Sequence, residues 1–166
     1  MRALLIAVTI FAAYILASIF KNKGIPPSIS NTYYIWRESR CGWLFTAFMV
    51  IDAAFLWFAW MPECSDTNTF LAFLSCAGMW FVGGACAYLQ TLTKTVHYTS
   101  AAIWAGSAIA WNIVVGNVDA LLYGIAAGFV GFAVNTAIAK KVTNKIFWAE
   151  IACVAAILGG VGSYYI

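Results

Sequence analysis

What most limits how this chain can fold is a repeated spacing. Apolar blocks run for about twenty residues, the length a helix needs to cross a hydrocarbon core of roughly 30 Å. Short polar links part them. Six blocks can be drawn, at 2–20, 41–61, 69–90, 98–116, 119–138 and 146–166. Only 9% of the 166 residues are charged and 64% are hydrophobic, where a soluble domain carries roughly 25% charged residues. A water-soluble protein of this size could not cover its surface with so few charges. The spacing therefore predicts an all-α fold: one domain over 1–166, a polytopic membrane bundle of about six transmembrane helices. No soluble domain, low-complexity tract or repeat interrupts it, and no feature points to nucleic acid.

The basic residues set an expected orientation. Lys21, Lys23, Arg37 and Arg40 fall in the first link, Lys94 in the third, and Lys140, Lys141 and Lys145 in the fifth. Arg2 alone falls elsewhere, and the even links carry Glu63, Asp66 and Asp119. Lys and Arg in short loops mark the cytoplasmic side, so both termini are expected outside, in a bacterial inner membrane. The first apolar run reads as a retained helix, because cleaving it as a leader would send the basic Lys21–Arg40 link outward. Trp36, Trp43, Trp60, Tyr88, Tyr98, Tyr164 and Tyr165 stand at segment ends, where amphipathic rings collect at membrane interfaces.

The five cysteines form no C-x-x-C pair, and a single histidine excludes a multi-histidine metal site within one subunit. No metal or cofactor is expected. Gly124 and Gly128 form a G-x-x-x-G, which lets membrane helices approach closely. Packing within the chain is the first use expected of it, and a homo-oligomer the second. Gly116-Asn117-Val118-Asp119 reads as a tight turn joining an antiparallel hairpin.

In lipid the informative residues are polar. Asp52 falls near the middle of the second block, where a charge costs roughly 2.5–3.5 kcal/mol on insertion scales. It is a candidate for an ion or proton path, or else a protonated carboxyl bonded to a neighbouring helix. His97 and Ser100, at i and i+3, share a face at the start of the fourth block. Glu150, Asn135 and Gln90 lie at similar depth, and together these residues could line an inward-facing pocket. His97 could serve as an acid or base, or simply anchor a helix end at the interface.

The first link reads KNKGIPPSISNTYYIWRESR. Pro26 and Pro27 break the preceding helix, and the stretch from Asn31 to Arg40 could lie as a short helix on the inner membrane surface. Pro27-Ser28-Ile29-Ser30 followed by Tyr33-Tyr34 resembles the PSIS-x-x-YY motif of a group of small bacterial six-helix membrane proteins. More loosely, the chain resembles DRAM-type proteins. In the same group a histidine and a Ser-Ala pair open a later helix, similar to His97-Tyr98-Thr99-Ser100-Ala101. The resemblance implies the six-helix fold and no reaction. Where the group continues its tyrosines with Thr-Pro, this chain has Ile35-Trp36.

Three functional readings follow. In the first, the protein binds a membrane lipid or small amphiphile where Ser28, Ser30, Tyr33 and Tyr34 meet His97 and Glu150. In the second, it is a small transporter or proton-coupled carrier using Asp52. In the third, it is an enzyme on lipid headgroups with His97 as base and Ser100 or Glu150 nearby.

Overall fold

The computed structural model describes residues 1–140 and 143–163. Among them there is no strand, and seven α-helices carry the fold. They are α1 (Arg2–Asn22), α2 (Thr32–Arg37), α3 (Trp43–Trp60), α4 (Thr69–Gly84), α5 (Thr91–Val114), α6 (Val118–Ala139) and α7 (Lys145–Gly162). Lys141, Tyr164 and Tyr165 lie outside the described residues.

Four helical stretches are long and apolar enough to cross a membrane: α1, α3 with its following turn to Glu63, α6 and α7. The other two long helices depart from that pattern for different reasons. α4 is apolar but has 16 residues, about 24 Å at ~1.5 Å per residue. α5 has 24 residues but opens on the polar sequence Thr91-Leu-Thr-Lys-Thr-Val-His97.

Helix ends follow local chemistry. α1 stops at Lys23, whose left-handed backbone (φ 54) lets the amides of Lys23 and Gly24 return to the carbonyls of Phe20 and Ile19. Pro26 and Pro27 then prevent the helix from resuming. α4 ends at Gly84, short of the expected 90, and α5 begins at Thr91, ahead of the expected 98. Hydropathy misplaces both ends because the Ala85–Leu89 turn is apolar while the first two turns of α5 are polar. His97 is consequently well inside a helix rather than at its start.

α1, α3, α4 and α5 pack in series, α7 lies against α5 and α1, and α6 packs on α7. Small residues make these approaches. A Cβ on Gly78 of α4 would lie 2.7 Å from the Trp104 amide nitrogen on α5, and one on Gly128 of α6 would lie 2.4 Å from Ala152 Cβ on α7. The G-x-x-x-G face is thus occupied inside the chain, with Gly124 against Ala156. A tight turn at Gly116 (φ 81) does join α5 to α6, yet α6 runs along α7, where the glycines fit, rather than along α5. Elsewhere the core is aromatic: Tyr14 stacks on Phe48 with centroids 4.2 Å apart, and Trp60 meets Trp111 at 5.6 Å.

Candidate functional site

The segment after Pro26 folds back into the bundle. Its backbone and hydroxyls take up polar groups from four directions. Pro27 O accepts from the Phe147 amide at 3.2 Å, pairing one of the N–H groups that the start of α7 leaves without an intrahelical partner. Asn144, the residue before α7, donates through Nδ2 to Ile25 O at 3.2 Å. Ser28 Oγ accepts from the Asn31 amide at 2.9 Å and shapes the turn into α2. Thr32 Oγ1 donates to Ile29 O at 2.6 Å and accepts from Tyr14 of α1 at 2.7 Å. Trp36 Nε1 donates to Ser18 Oγ, also on α1, at 2.9 Å.

Two further bonds carry the chemistry. The Ile29 amide donates to Glu150 Oε2 on α7, and the Ser30 amide and hydroxyl face the same carboxylate. Ser30 Oγ also lies 2.9 Å from His97 Nε2 on α5. The other ring nitrogen, Nδ1, is 3.0 Å from Ala85 O. A carbonyl oxygen only accepts, so Nδ1 carries a proton, and in the neutral ring Nε2 is then an acceptor. With the ring neutral, Ser30 gives its one hydroxyl proton to His97, and that proton is then not available to Glu150, which keeps backbone amides as its donors.

The turn between α4 and α5 closes this end. Tyr88 stacks on the His97 ring at 5.0 Å, Asn31 Nδ2 donates to the Tyr88 hydroxyl at 3.3 Å, and the Leu89 amide donates to the Tyr34 hydroxyl at 2.8 Å. The first, third and fifth connections of the chain thus meet at one end of the bundle. Tyr33 faces Cys86 and packs its ring edge on Tyr34 with centroids 5.0 Å apart.

Ser30 and Glu150 line a cavity of about 250 Å³. Its other walls are Ile29, Met49, Val82, Ala101, Trp104, Ala105, Ile146, Ala149 and Cys153. Its lining is apolar with a few convergent polar groups, as in small-molecule sites, and its volume lies just below their common range of roughly 300–1,000 Å³. A larger groove of about 530 Å³ between α3 and α4 is walled by Trp57, Phe58, Phe73, Trp80 and Phe81. Its polar groups are the Cys76 thiol and the indole N–H groups of Trp57 and Trp80, and Trp80 Nε1 already donates to Val50 O.

The structure brings together Ser28, Ser30, Tyr34, His97 and Glu150, with Tyr33 at the edge of the group. Four other candidates lie apart. Ser100 is buried, but the hydroxyl that meets His97 is that of Ser30. Asn135 Nδ2 bonds Thr143 Oγ1 at 3.2 Å, tying the end of α6 to the turn before α7. Asp52 is buried at 2% exposure in α3, Oδ1 has no hydrogen-bond partner, and it lines none of the three described cavities. Exposed Gln90 precedes α5 and takes no part in the group. Sequence reasoning missed Tyr88, Ala85 and Trp104. Tyr88 carried a signal as an interfacial ring near a histidine; a backbone carbonyl and a cavity wall carry none.

The Ser30–His97 pair does not by itself complete a nucleophilic site. A serine nucleophile needs a base, which His97 supplies, and donors for the developing oxyanion. The amides of Ile29 and Ser30, the nearest such donors, are directed at Glu150 instead. Comparison with family models, with curated proteins and with solved structures gives no match.

Proposed function

We propose that this is a six-span membrane protein that binds a lipid or small amphiphile in the cavity between α5, α7 and the Pro27–Tyr34 segment. The spans are α1, α3, α4, α5, α6 and α7, with both termini outside and the basic connections in the cytoplasm. What supports the arrangement is that the α1–α3, α4–α5 and α6–α7 connections, in or within a few residues of which eight of the nine basic residues fall, hydrogen-bond to one another at one end. The positive-inside rule makes that end cytoplasmic, in keeping with a bacterial inner membrane and with the PSIS-x-x-YY group the sequence resembles. Alkaline phosphatase fused to the C-terminus is expected to be active in cells; an inactive, stably made fusion would contradict the orientation.

The observation that carries the binding reading is the pairing of an apolar cavity with Ser30 and Glu150 at its wall. A long-chain alcohol bearing a diazirine, added to the protein in nanodiscs, is expected to label residues of the cavity such as Ala101 and Ile146. Filling the space with Ala105→Trp should abolish that labelling. Labelling confined to the outer faces of the helices and indifferent to Ala105→Trp would contradict it.

A second reading, a serine-dependent enzyme on lipid headgroups, draws on the 2.9 Å Ser30–His97 hydrogen bond. It requires Glu150 to release the two amides when substrate arrives. A fluorophosphonate probe that modifies Ser30, and fails to do so in His97→Gln, would favour it over simple binding.

A further inference from the structure

The cavity lining holds one ionisable acid and no base, and apart from the buried Trp104 indole N–H and the Cys153 thiol its polar side chains present acceptors. Glu150 is the only carboxylate among the lining residues, and none of them is Lys, Arg or His. Among the described residues no Lys or Arg pairs with it; the backbone amides of Ile29 and Ser30 are what face it. Oε2 receives the Ile29 amide, which leaves the other carboxylate oxygen with unused acceptor capacity. Ser30 spends its proton on His97, so it too meets a ligand as an acceptor. Trp104 contributes an aromatic wall, a surface that attracts cations.

A carboxylate in apolar surroundings is costly unless a charge and hydrogen bonds offset it. The loop amides supply hydrogen bonds without supplying a full charge. A headgroup that is a donor and a cation would complete the site. A carboxylate or phosphate placed there would instead meet like charge at short range, where a low dielectric enlarges the repulsion.

We infer that the ligand is a cationic amphiphile, a primary alkylammonium whose head pairs with Glu150 and Ser30 while its chain lies in the cavity against Trp104. The inference rests on the cavity being an amphiphile site, as proposed above, and adds the class of headgroup. An ammonium brings one positive charge and three donors to a place that presents acceptors. The same chemistry could belong to a free alkylamine or to a membrane lipid with an ethanolamine head.

Competition against the diazirine alcohol in nanodiscs tests it. Dodecylamine, dodecanol and dodecanoate are compared at equal chain length, with lyso-phosphatidylethanolamine as a fourth competitor. Dodecylamine is expected to displace the probe about tenfold or more better than dodecanol, and dodecanoate to be weakest. Glu150→Gln, which keeps an oxygen for the Ile29 amide, should bring the amine down to the level of the alcohol while alcohol binding persists. If lyso-phosphatidylethanolamine competes as well as dodecylamine, the head belongs to a lipid; if it does not, to a free amine; either result accords with the inference. Equal competition by amine, alcohol and carboxylate in the wild type would overturn the cationic headgroup and leave the amphiphile site standing. Absence of any cavity labelling by the probe would overturn both. The headgroup series needs no variant, so a Glu150→Gln protein that fails to fold does not blunt it.

Discussion

Glu150 and Asp52 are both carboxylic acids set in helices of an apolar bundle, and their surroundings differ in every respect that bears on function. Glu150 receives the Ile29 amide, faces Ser30 and opens on a cavity. Asp52 is buried in α3, with Oδ1 lacking any hydrogen-bond partner, and it lines none of the described cavities. Depth in a hydrophobic segment therefore does not by itself say what surrounds a carboxylate. The discriminating features are partners that orient it and space that a ligand can enter. The partners of Glu150 come from a loop far away in sequence, which makes that loop part of the bundle rather than a connector.

The contrast is open to direct attack by substitution, and the largest effect is expected at the loop. Glu150→Leu leaves the Ile29 and Ser30 amides without an acceptor, and an unsatisfied buried donor costs about 1–3 kcal/mol. Thermal unfolding in nanodiscs should show a clear loss, accompanied by protease cleavage within residues 25–34. Asp52→Asn removes no formed bond at Oδ1 and is expected to change stability by less than about 1 kcal/mol. A loss at Asp52 as large as that at Glu150 would erase the distinction between them.

His97→Phe comes next. It keeps a ring to stack on Tyr88 but strands Ala85 O and the Ser30 hydroxyl, a loss of about 1–3 kcal/mol in the same unfolding measurement. Tyr34→Phe deletes only the hydroxyl that accepts from Leu89, for about 0.5–1.5 kcal/mol. Asn135→Ala should be smallest, within about 1 kcal/mol and with cavity labelling unchanged, because Asn135 secures the α6–α7 turn outside the group.

The all-helical architecture could be read from the sequence because lipid imposes one length on apolar helices. Helix ends were less readable where polarity and helicity part company. Thr91–His97 is polar yet helical, while Ala85–Leu89 is apolar yet a turn. The candidate site was readable as residue types: His97 and Glu150 stood out as polar groups in or beside apolar runs, and Ser28 and Ser30 through the Pro-Ser-Ile-Ser motif of the first link. That the loop meets His97 and Glu150 was expected; which hydroxyl meets the His97 ring was not readable. Helical spacing puts Ser100 beside His97 on one face, but the Pro27–Tyr34 loop delivers Ser30 to the ring from 67 positions away in the chain. No local periodicity encodes a contact made by a returning loop, nor one made by a backbone carbonyl such as Ala85 O.

Backbone hydrogen exchange across residues 27–34, followed by mass spectrometry in nanodiscs, tests the central claim most directly. The amides of Ile29, Asn31, Thr32, Tyr33 and Tyr34 all donate within the protein. The segment is therefore expected to exchange slowly in the wild type and to become fast in Glu150→Leu. Exchange at the rate of an unstructured peptide in the wild type, or protection that survives Glu150→Leu unchanged, would contradict a loop held in the bundle by Glu150.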